Sequence, residues 1–188
     1  MTKLPVIIKD KTFVPMIDRA TLEARIQDLA AQISADYQGK QPLFVAVLNG
    51  SFMFVAQLLK GIGVACEITF VRVASYQATE SSGELKEILG LNQDIKGRDV
   101  IIVEDIVDTG LTMFELCGQL ATQKPNSLKI ATMLFKPTAL RADVSPSYVG
   151  FEIENKFVLG YGLDYDGLGR NLDAIYVLQT PTETTGDN

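Results

Sequence analysis

The stretch VIIVEDIVDTGLTM, residues 100–113, decides the fold class. Its apolar, mostly β-branched start is typical of a strand buried on both faces of a sheet. The run ends in three acids, Glu104, Asp105 and Asp108, and Thr109-Gly110-Leu111-Thr112 follows them. If that turn opens a helix, its unpaired backbone N–H groups and the helix dipole can bind an anion. Solvated acids that only cap the helix are the plain alternative, and three acids within five residues argue against it.

Strand and helix patterns alternate along the rest of the chain. Apolar residues at helical spacing predict helices over 21–36, 52–60 and 111–123. Asp18 or Thr21 could start the first helix, and Ser51 is the expected N-cap of the second. Apolar runs predict strands over 43–49, 64–76, 99–105, 127–137, 148–154, 156–161 and 174–179. Residues 77–98 are expected to form a loop or a hairpin. This alternation indicates an α/β fold with a mainly parallel, twisted sheet flanked by helices, and ligands at the carboxyl ends of its strands.

Composition narrows the possible functions. The 188 residues suit one domain with a small hood, and 47% hydrophobic residues can build a core. The net charge of −6 argues against a nucleic-acid partner. The absence of histidine excludes histidine catalysis and the usual zinc sites. Two cysteines make no disulfide scaffold and are expected in or near the core.

The sequence shows neither a signal peptide nor a membrane span. The apolar run in the first ten residues, MTKLPVIIKD, is too short for a secretion signal. No segment approaches the roughly 20 apolar residues that cross a bilayer. We therefore expect a soluble, cytoplasmic protein without a membrane partner.

Two other phosphate-binding motifs are incomplete in this chain. A P-loop requires G-x-x-x-x-G-K-[ST], but the one Gly-Lys pair, Gly39-Lys40, is followed by Gln41. A dinucleotide fingerprint needs a third glycine that neither Gly160-Tyr161-Gly162 nor Gly167-Leu168-Gly169 has at the right spacing. The phosphate cradle at 109–112 thus belongs to neither class.

Five segments together resemble the type I phosphoribosyltransferases. VEDIVDTGLT (103–112) resembles their loop for 5-phosphoribosyl-1-pyrophosphate, LNGSFMF (48–54) their pyrophosphate loop, and ASY (74–76) the start of their mobile lid. MLFKP (133–137) and KFVLGYGLDYDGLGRNL (156–172) resemble the base-binding elements of the branch that acts on 6-oxopurines. The matches span most of 45–178 in the family's order. The resemblance implies a single domain over 1–188, with a hood built from the N- and C-terminal segments, and leaves 180–188 as a polar tail.

The resemblance implies transfer of ribose 5-phosphate from the pyrophosphate donor to a purine such as hypoxanthine or guanine. The 5-phosphate would lie in the cradle of Thr109, Gly110, Leu111 and Thr112. Glu104 and Asp105 would accept hydrogen bonds from the ribose hydroxyls. Asp108 would act as general base and take a proton from the purine. The carboxylates would stabilise the oxocarbenium-like sugar that forms.

Three residues are expected at the base, by the same resemblance. Lys136 would donate to the 6-oxo group, Phe157 would stack on the purine, and the backbone of Val158 would read the edge of the base. A solvated lysine and a core aromatic ring are the alternatives for Lys136 and Phe157. A lid around Ser75 and Tyr76 would close over the donor.

The pyrophosphate would bind to Arg170 and to the backbone of Leu48, Asn49 and Gly50. Mg²⁺ is the expected cofactor, held by Asp164 through water, with Glu104 and Asp105 as further metal ligands. Leu111 stands where some relatives have lysine. Asn49 stands where relatives often have a basic residue, which removes a positive charge near the pyrophosphate.

Two rival functions remain open at this point. A related transferase could use another base, such as xanthine. A regulator of the same fold could sense the donor and bind RNA or DNA, although the acidic balance of the chain disfavours this. The resemblance also implies a homodimer or a homotetramer.

Overall fold

The computed structural model describes residues 4–73 and 88–179. These residues form one sheet of six strands and one of four. A 3-10 turn covers Pro137–Ala139. The other elements in chain order are β1 (Val6–Ile8), β2 (Lys11–Ile17), α1 (Arg19–Asp36), β3 (Leu43–Val47), α2 (Phe52–Gly61), β4 (Glu67–Val73), β5 (Ile88–Leu89), β6 (Asp99–Val107), α3 (Leu111–Thr122), β7 (Ser127–Phe135), β8 (Tyr148–Glu152), β9 (Val158–Leu159) and β10 (Ile175–Leu178).

The larger sheet has the strand order β5-β4-β3-β6-β7-β8. The five strands from β4 to β8 in that order are parallel, and the short β5 runs antiparallel to β4. Alternate residues of β3 enter two separate cores. Phe44 and Ala46 pack with α1 and α2, whereas Val45 and Val47 pack with α3. The predicted α/β fold with a mainly parallel sheet flanked by helices is therefore confirmed.

The order of the strands places one point of the sheet at a ligand-binding position. After β3 the chain crosses through α2 to β4 on one side, while β6 lies on the other side of β3 and leads outward to β7. The segments that follow β3 and β6 thus diverge at the carboxyl edge of the sheet. In open α/β sheets ligands bind at such a switch point.

The smaller sheet joins the two ends of the chain in the antiparallel order β1-β2-β10-β9, and we call it the terminal sheet. Its strands β1 and β2 were not predicted from the sequence. The strand predicted over 156–161 was too long, because only Val158–Leu159 pair. Gly160 and Tyr161 have φ of 96° and 51°, and these left-handed conformations turn the chain out of the strand.

The predicted helices and their N-cap positions are confirmed. The Asp18 side chain accepts from the Thr21 N–H at 2.8 Å and caps α1. Ser51 is the N-cap residue of α2, but its side chain makes no capping hydrogen bond. Its buried hydroxyl instead donates back to the Val47 carbonyl at 2.6 Å, which ties the loop to the end of β3.

Some expectations lie outside the described residues, namely the lid at Ser75 and Tyr76 and the polar tail 180–188. Within the described residues, Cys66 and Cys117 are free and partly buried. Burial raises the pKa of the Cys117 thiol to about 11. No helix in the described parts of the chain combines the length and apolar character that crossing a bilayer needs.

Candidate active site

A cavity of about 280 Å³ opens at the carboxyl end of β6. Its walls combine the acids at the end of that strand, the turn that follows, the first turn of α3, and the last residues of two neighbouring strands. The lining residues are Val47, Val73, Glu104, Asp105, Ile106, Val107, Asp108, Thr109, Gly110, Thr112 and Met113. The structure thus gathers the acids and the predicted phosphate cradle around one space.

The cradle is a tight turn held by its neighbours. Gly110 is the N-cap of α3 and has φ of 78°, a conformation that favours glycine. A Cβ at this position would also lie 2.9 Å from the Leu140 side chain. The Arg141 N–H donates to the Thr109 carbonyl at 2.8 Å, which fixes the turn from outside. The side chain of Leu111 is exposed, so this residue can serve the cradle only through its backbone.

Two buried carboxyl groups lie beneath the cradle. Glu104 and Asp105 are each 8% exposed. Burial raises the pKa of Glu104 well above its usual range, and the negative charge of Asp105 raises it further. One oxygen of Asp105 accepts from the Ile106 N–H at 2.9 Å. A cation beside this pair would favour the charged form of Glu104.

Asp108, which lines the cavity, forms an ion pair with Lys136. Lys136 Nζ lies 2.8 Å from Asp108 Oδ2, and the two side chains are 6% and 44% exposed. The backbone N–H of Lys136 donates to the Val107 carbonyl at 3.0 Å, so the ends of β6 and β7 are joined. The alternative of a solvated lysine is therefore wrong.

The segment after β3 packs directly on the buried acids. The Leu48–Asn49 peptide is cis. A Cβ on Gly50 would lie 1.6 Å from Asp105 Oδ2, and a Cβ on Gly162 would lie 2.0 Å from the Gly50 carbonyl oxygen. Only glycines allow this stacking. The predicted pyrophosphate loop therefore contacts the predicted donor-binding acids through Gly50 and Asp105. It also contacts the base-binding segment through Gly50 and Gly162.

Arg170 and Asp164 also lie together. Arg170 Nη2 contacts Asp164 Oδ1 at 2.6 Å, and Nη1 donates to the Gly162 carbonyl at 2.7 Å. The second oxygen of Asp164 accepts from the Gly167 N–H at 2.6 Å. The predicted pyrophosphate clamp and the predicted metal ligand are thus one ion pair, fixed to the Gly162 backbone.

Phe157 is not among the residues that line the cavity, and its ring packs against two other rings. It is 44% exposed, so the alternative of a core aromatic ring is wrong. Its ring centroid lies 6.1 Å from that of Phe13 and 5.8 Å from that of Tyr165. Val158 is buried in β9, where it pairs with Val177. Sequence reasoning missed Phe13, since nothing along the chain links β2 to residue 157.

Arg72 is a second residue that sequence reasoning missed. It lies in β4, and its Nη2 donates to Asn49 Oδ1 at 2.8 Å. No motif pointed to Arg72, because the contact arises from the parallel pairing of β3 with β4.

The acids fit a magnesium ion that is shared with a substrate. Among the described residues, no group of three or more His, Cys, Asp or Glu side chains could hold a metal by itself. Glu104, Asp105 and Asp164 therefore do not form one metal cage. Mg²⁺ usually takes one or two carboxylates and completes its shell with water and substrate phosphates. The buried pair Glu104 and Asp105 suits that mode of binding.

The comparisons with known proteins agree on one family. The sequence model of the phosphoribosyl transferase domain matches residues 17–166. The hypoxanthine-guanine phosphoribosyltransferase of Bacillus subtilis (strain 168) is 41% identical over 165 residues, which are 87% of this chain and 92% of the relative. That of Mycobacterium tuberculosis (strain H37Rv) is 44% identical over 164 residues, 84% of this chain and 81% of the relative.

A solved structure extends the agreement to three dimensions. The crystal structure of a hypoxanthine-guanine phosphoribosyltransferase from Bacillus anthracis superposes with a TM-score of 0.79 at 37% identity, covering 88% of this chain and 96% of that chain. The family model covers every residue that lines the cavity. The chain therefore belongs to the phosphoribosyl transferase family, in the branch of the hypoxanthine-guanine phosphoribosyltransferases.

Proposed function

We propose that this enzyme transfers the 5-phosphoribosyl group of 5-phosphoribosyl-1-pyrophosphate to a 6-oxopurine, hypoxanthine or guanine. The products are the nucleoside 5′-monophosphate and pyrophosphate, and the reaction serves purine salvage. The observation that carries the proposal is the ion pair of Lys136 with Asp108, an acid that lines the same cavity as the anion cradle. The hypoxanthine-guanine phosphoribosyltransferases among its relatives support the choice of base.

The donor fits the cavity part by part. Its 5-phosphate would accept from backbone N–H groups at the start of α3 and from the hydroxyls of Thr109 and Thr112. Its two ribose hydroxyls would donate to Glu104 and Asp105. Because these carboxyl groups are buried, hydrogen bonds to them are stronger than they would be in water.

Asp108 and Lys136 would act on different parts of the purine base. Asp108 would take the proton from the imidazole part of the purine. As that proton leaves, the other ring nitrogen forms its bond to the sugar, and the C1–O bond breaks with the electron pair going to pyrophosphate. A lysine ammonium has three donors and no acceptor. Lys136 can therefore keep its contact with Asp108 and donate to the 6-oxo oxygen at the same time.

Mg²⁺ is the cofactor that the acids would hold. When bound, it would neutralise charge on the donor's pyrophosphate and so ease its departure. Glu104 and Asp105 would hold it. Asp164 would contribute a ligand through water, while Arg170 would clamp the phosphates. Phe157 would stack on the purine, and the Val158 backbone would face its edge.

We also infer how the molecule is organised around this site. The terminal sheet is the hood, because Phe13 of β2 supports the ring of Phe157.

The enzyme forms a homodimer or a homotetramer, a proposal supported by exposed apolar side chains such as Phe52 and Phe70. Light scattering on the protein as it leaves a size-exclusion column would measure the molar mass of the particle. The mass of a monomer would contradict the inference.

The test of the proposed function is direct detection of the product. The purified enzyme, the donor and Mg²⁺ would be incubated with hypoxanthine, guanine, xanthine or adenine, and the nucleotide would be identified by mass spectrometry. Inosine and guanosine monophosphates are the expected products, and a chelator should abolish their formation. If none of the four bases gives a nucleotide, the proposed function is wrong.

A further inference from the structure

The proposed pyrophosphate loop has no positive charge of its own. Leu48, Asn49, Gly50 and Ser51 are all neutral. A negative group lies directly behind them, because a Cβ on Gly50 would meet Asp105 Oδ2 at 1.6 Å. A polyanion such as pyrophosphate is repelled by a carboxylate this close unless cations lie nearby. A cation from another part of the chain, in addition to Mg²⁺ and Arg170, would therefore strengthen binding of pyrophosphate at this loop.

Two of the cations around the site are already paired with carboxylates. Lys136 contacts Asp108, and Arg170 contacts Asp164. Arg72 differs from both, because its side-chain hydrogen bond goes to the neutral amide oxygen of Asn49 at 2.8 Å. Its positive charge thus lies at the loop without an acid as the partner in that contact. A guanidinium has five N–H donors, so one hydrogen bond to Asn49 leaves others for an anion.

The pairing of the strands fixes Arg72 at this position. β3 and β4 run parallel, and the Leu48 N–H donates to the Val71 carbonyl at 2.8 Å. The residue after Val71 is therefore carried to the same edge of the sheet as the loop that follows β3. Arg72 is exposed, which leaves its guanidinium within reach of a ligand.

We propose that Arg72 binds the anion directly in the pyrophosphate subsite. It holds the Asn49 side chain and supplies the positive charge that the loop Leu48–Gly50 lacks. The proposal rests on the proposed function, because it assumes that this loop binds pyrophosphate.

The first test compares Arg72→Met with Lys129→Met, which removes an exposed cation from β7 without touching the loop. The readouts are the KM for the donor, the KM for hypoxanthine, and the Kd for inorganic pyrophosphate with Mg²⁺, measured by calorimetry. A hydrogen bond to a charged group is strong enough that its loss weakens binding about tenfold. Arg72→Met should therefore raise the donor KM and the pyrophosphate Kd about tenfold and leave the KM for hypoxanthine unchanged.

The second test moves the charge onto the loop. Asn49→Lys, added to Arg72→Met, should recover part of the lost affinity for pyrophosphate. Unchanged pyrophosphate affinity in Arg72→Met would overturn the proposal. So would equal losses for both substrates together with a lower Tm, or a double variant without any recovery. Pyrophosphate binding is measured without turnover. A wild-type enzyme that makes no nucleotide would therefore refute the proposed function separately.

Discussion

The ion pair of Asp108 with Lys136 places a proton acceptor and a donor 2.8 Å apart. A buried lysine costs desolvation free energy, and the carboxylate offsets part of it. The pair also orients both groups before a base arrives. At the scale of single residues, this pair is where the proposed acid–base chemistry and the proposed choice of base meet.

Asp108→Asn should slow the chemical step more than it weakens donor binding. Asparagine keeps the size of the side chain and suits the residues before a helix, so the cradle should persist. It cannot take the proton of the purine, and loss of a general base typically costs about 10²–10⁴-fold in rate. Single-turnover kinetics would measure the effect.

Thr112→Ala is the matched comparison for Asp108→Asn. It removes a hydroxyl that lines the cavity and should raise the donor KM before it changes kcat. If Asp108→Asn kept a normal kcat with chemistry rate-limiting, the three acids would serve only as sugar and metal ligands.

Glu104→Gln should stabilise the enzyme, and the gain should grow with pH. Below the pKa of a glutamate in the unfolded chain, about 4.3, both states hold the proton. At higher pH the unfolded chain loses it while buried Glu104 retains it, so stability falls until the raised folded pKa is passed. Glutamine is neutral throughout and escapes this loss.

The measurement for Glu104→Gln is the Tm of both proteins between about pH 4 and pH 8, without Mg²⁺ or donor. The difference in Tm should widen as the pH rises. A difference that stays constant across this range would show that Glu104 titrates normally.

At the scale of elements, continuous apolar runs were predicted well and mixed runs were not. β3 and β6 are buried on both faces, and the sequence marks such strands clearly. β2 contains Pro15, which argues against a strand when the sequence is read alone. β2 is a strand because it pairs with β10. The nearest partners in the chain, Ile17 and Ile175, are 158 residues apart.

A change in the terminal sheet should alter the KM for the base and not the KM for the donor. Phe13→Leu removes a ring whose centroid lies 6.1 Å from that of Phe157. A contact between two aromatic rings contributes about 0.5–1.5 kcal/mol, which corresponds to a rise of about two- to thirteenfold in the KM for hypoxanthine. The KM for the donor should stay the same.

Phe44→Leu is the control for Phe13→Leu, since both rings are fully buried. It should lower the Tm without a selective effect on the base. Equal effects of the two variants on both substrates would mean that Phe13 only contributes stability.

Gly118→Ala should stabilise α3. Gly118 lies inside the helix, and an added Cβ would meet no atom within 4 Å. Alanine favours a helix over glycine by about 1 kcal/mol. Urea unfolding should show a gain of that order, and an unchanged or lower midpoint would contradict the helix-propensity account.

At the scale of the whole molecule, the site lies where the loops after β3 and β6 diverge. Its motif residues could be predicted because each lies in a local stretch with its own chemical signature. The contacts of Arg72 with Asn49 and of Phe13 with Phe157 could not be predicted, because they depend on strand pairing between distant segments. The strand order therefore brings together segments whose sequences, taken one at a time, predict only some of the residues of the site.

The ratio of kcat/KM for hypoxanthine to that for adenine tests whether this site selects a 6-oxopurine. Lys136 can only donate, and the 6-amino group of adenine would present another donor to it. A mismatch that sets a buried donor against another donor can reject the wrong base by about 10⁴-fold. We predict a preference of that order for hypoxanthine, and comparable values for the two bases would contradict the account.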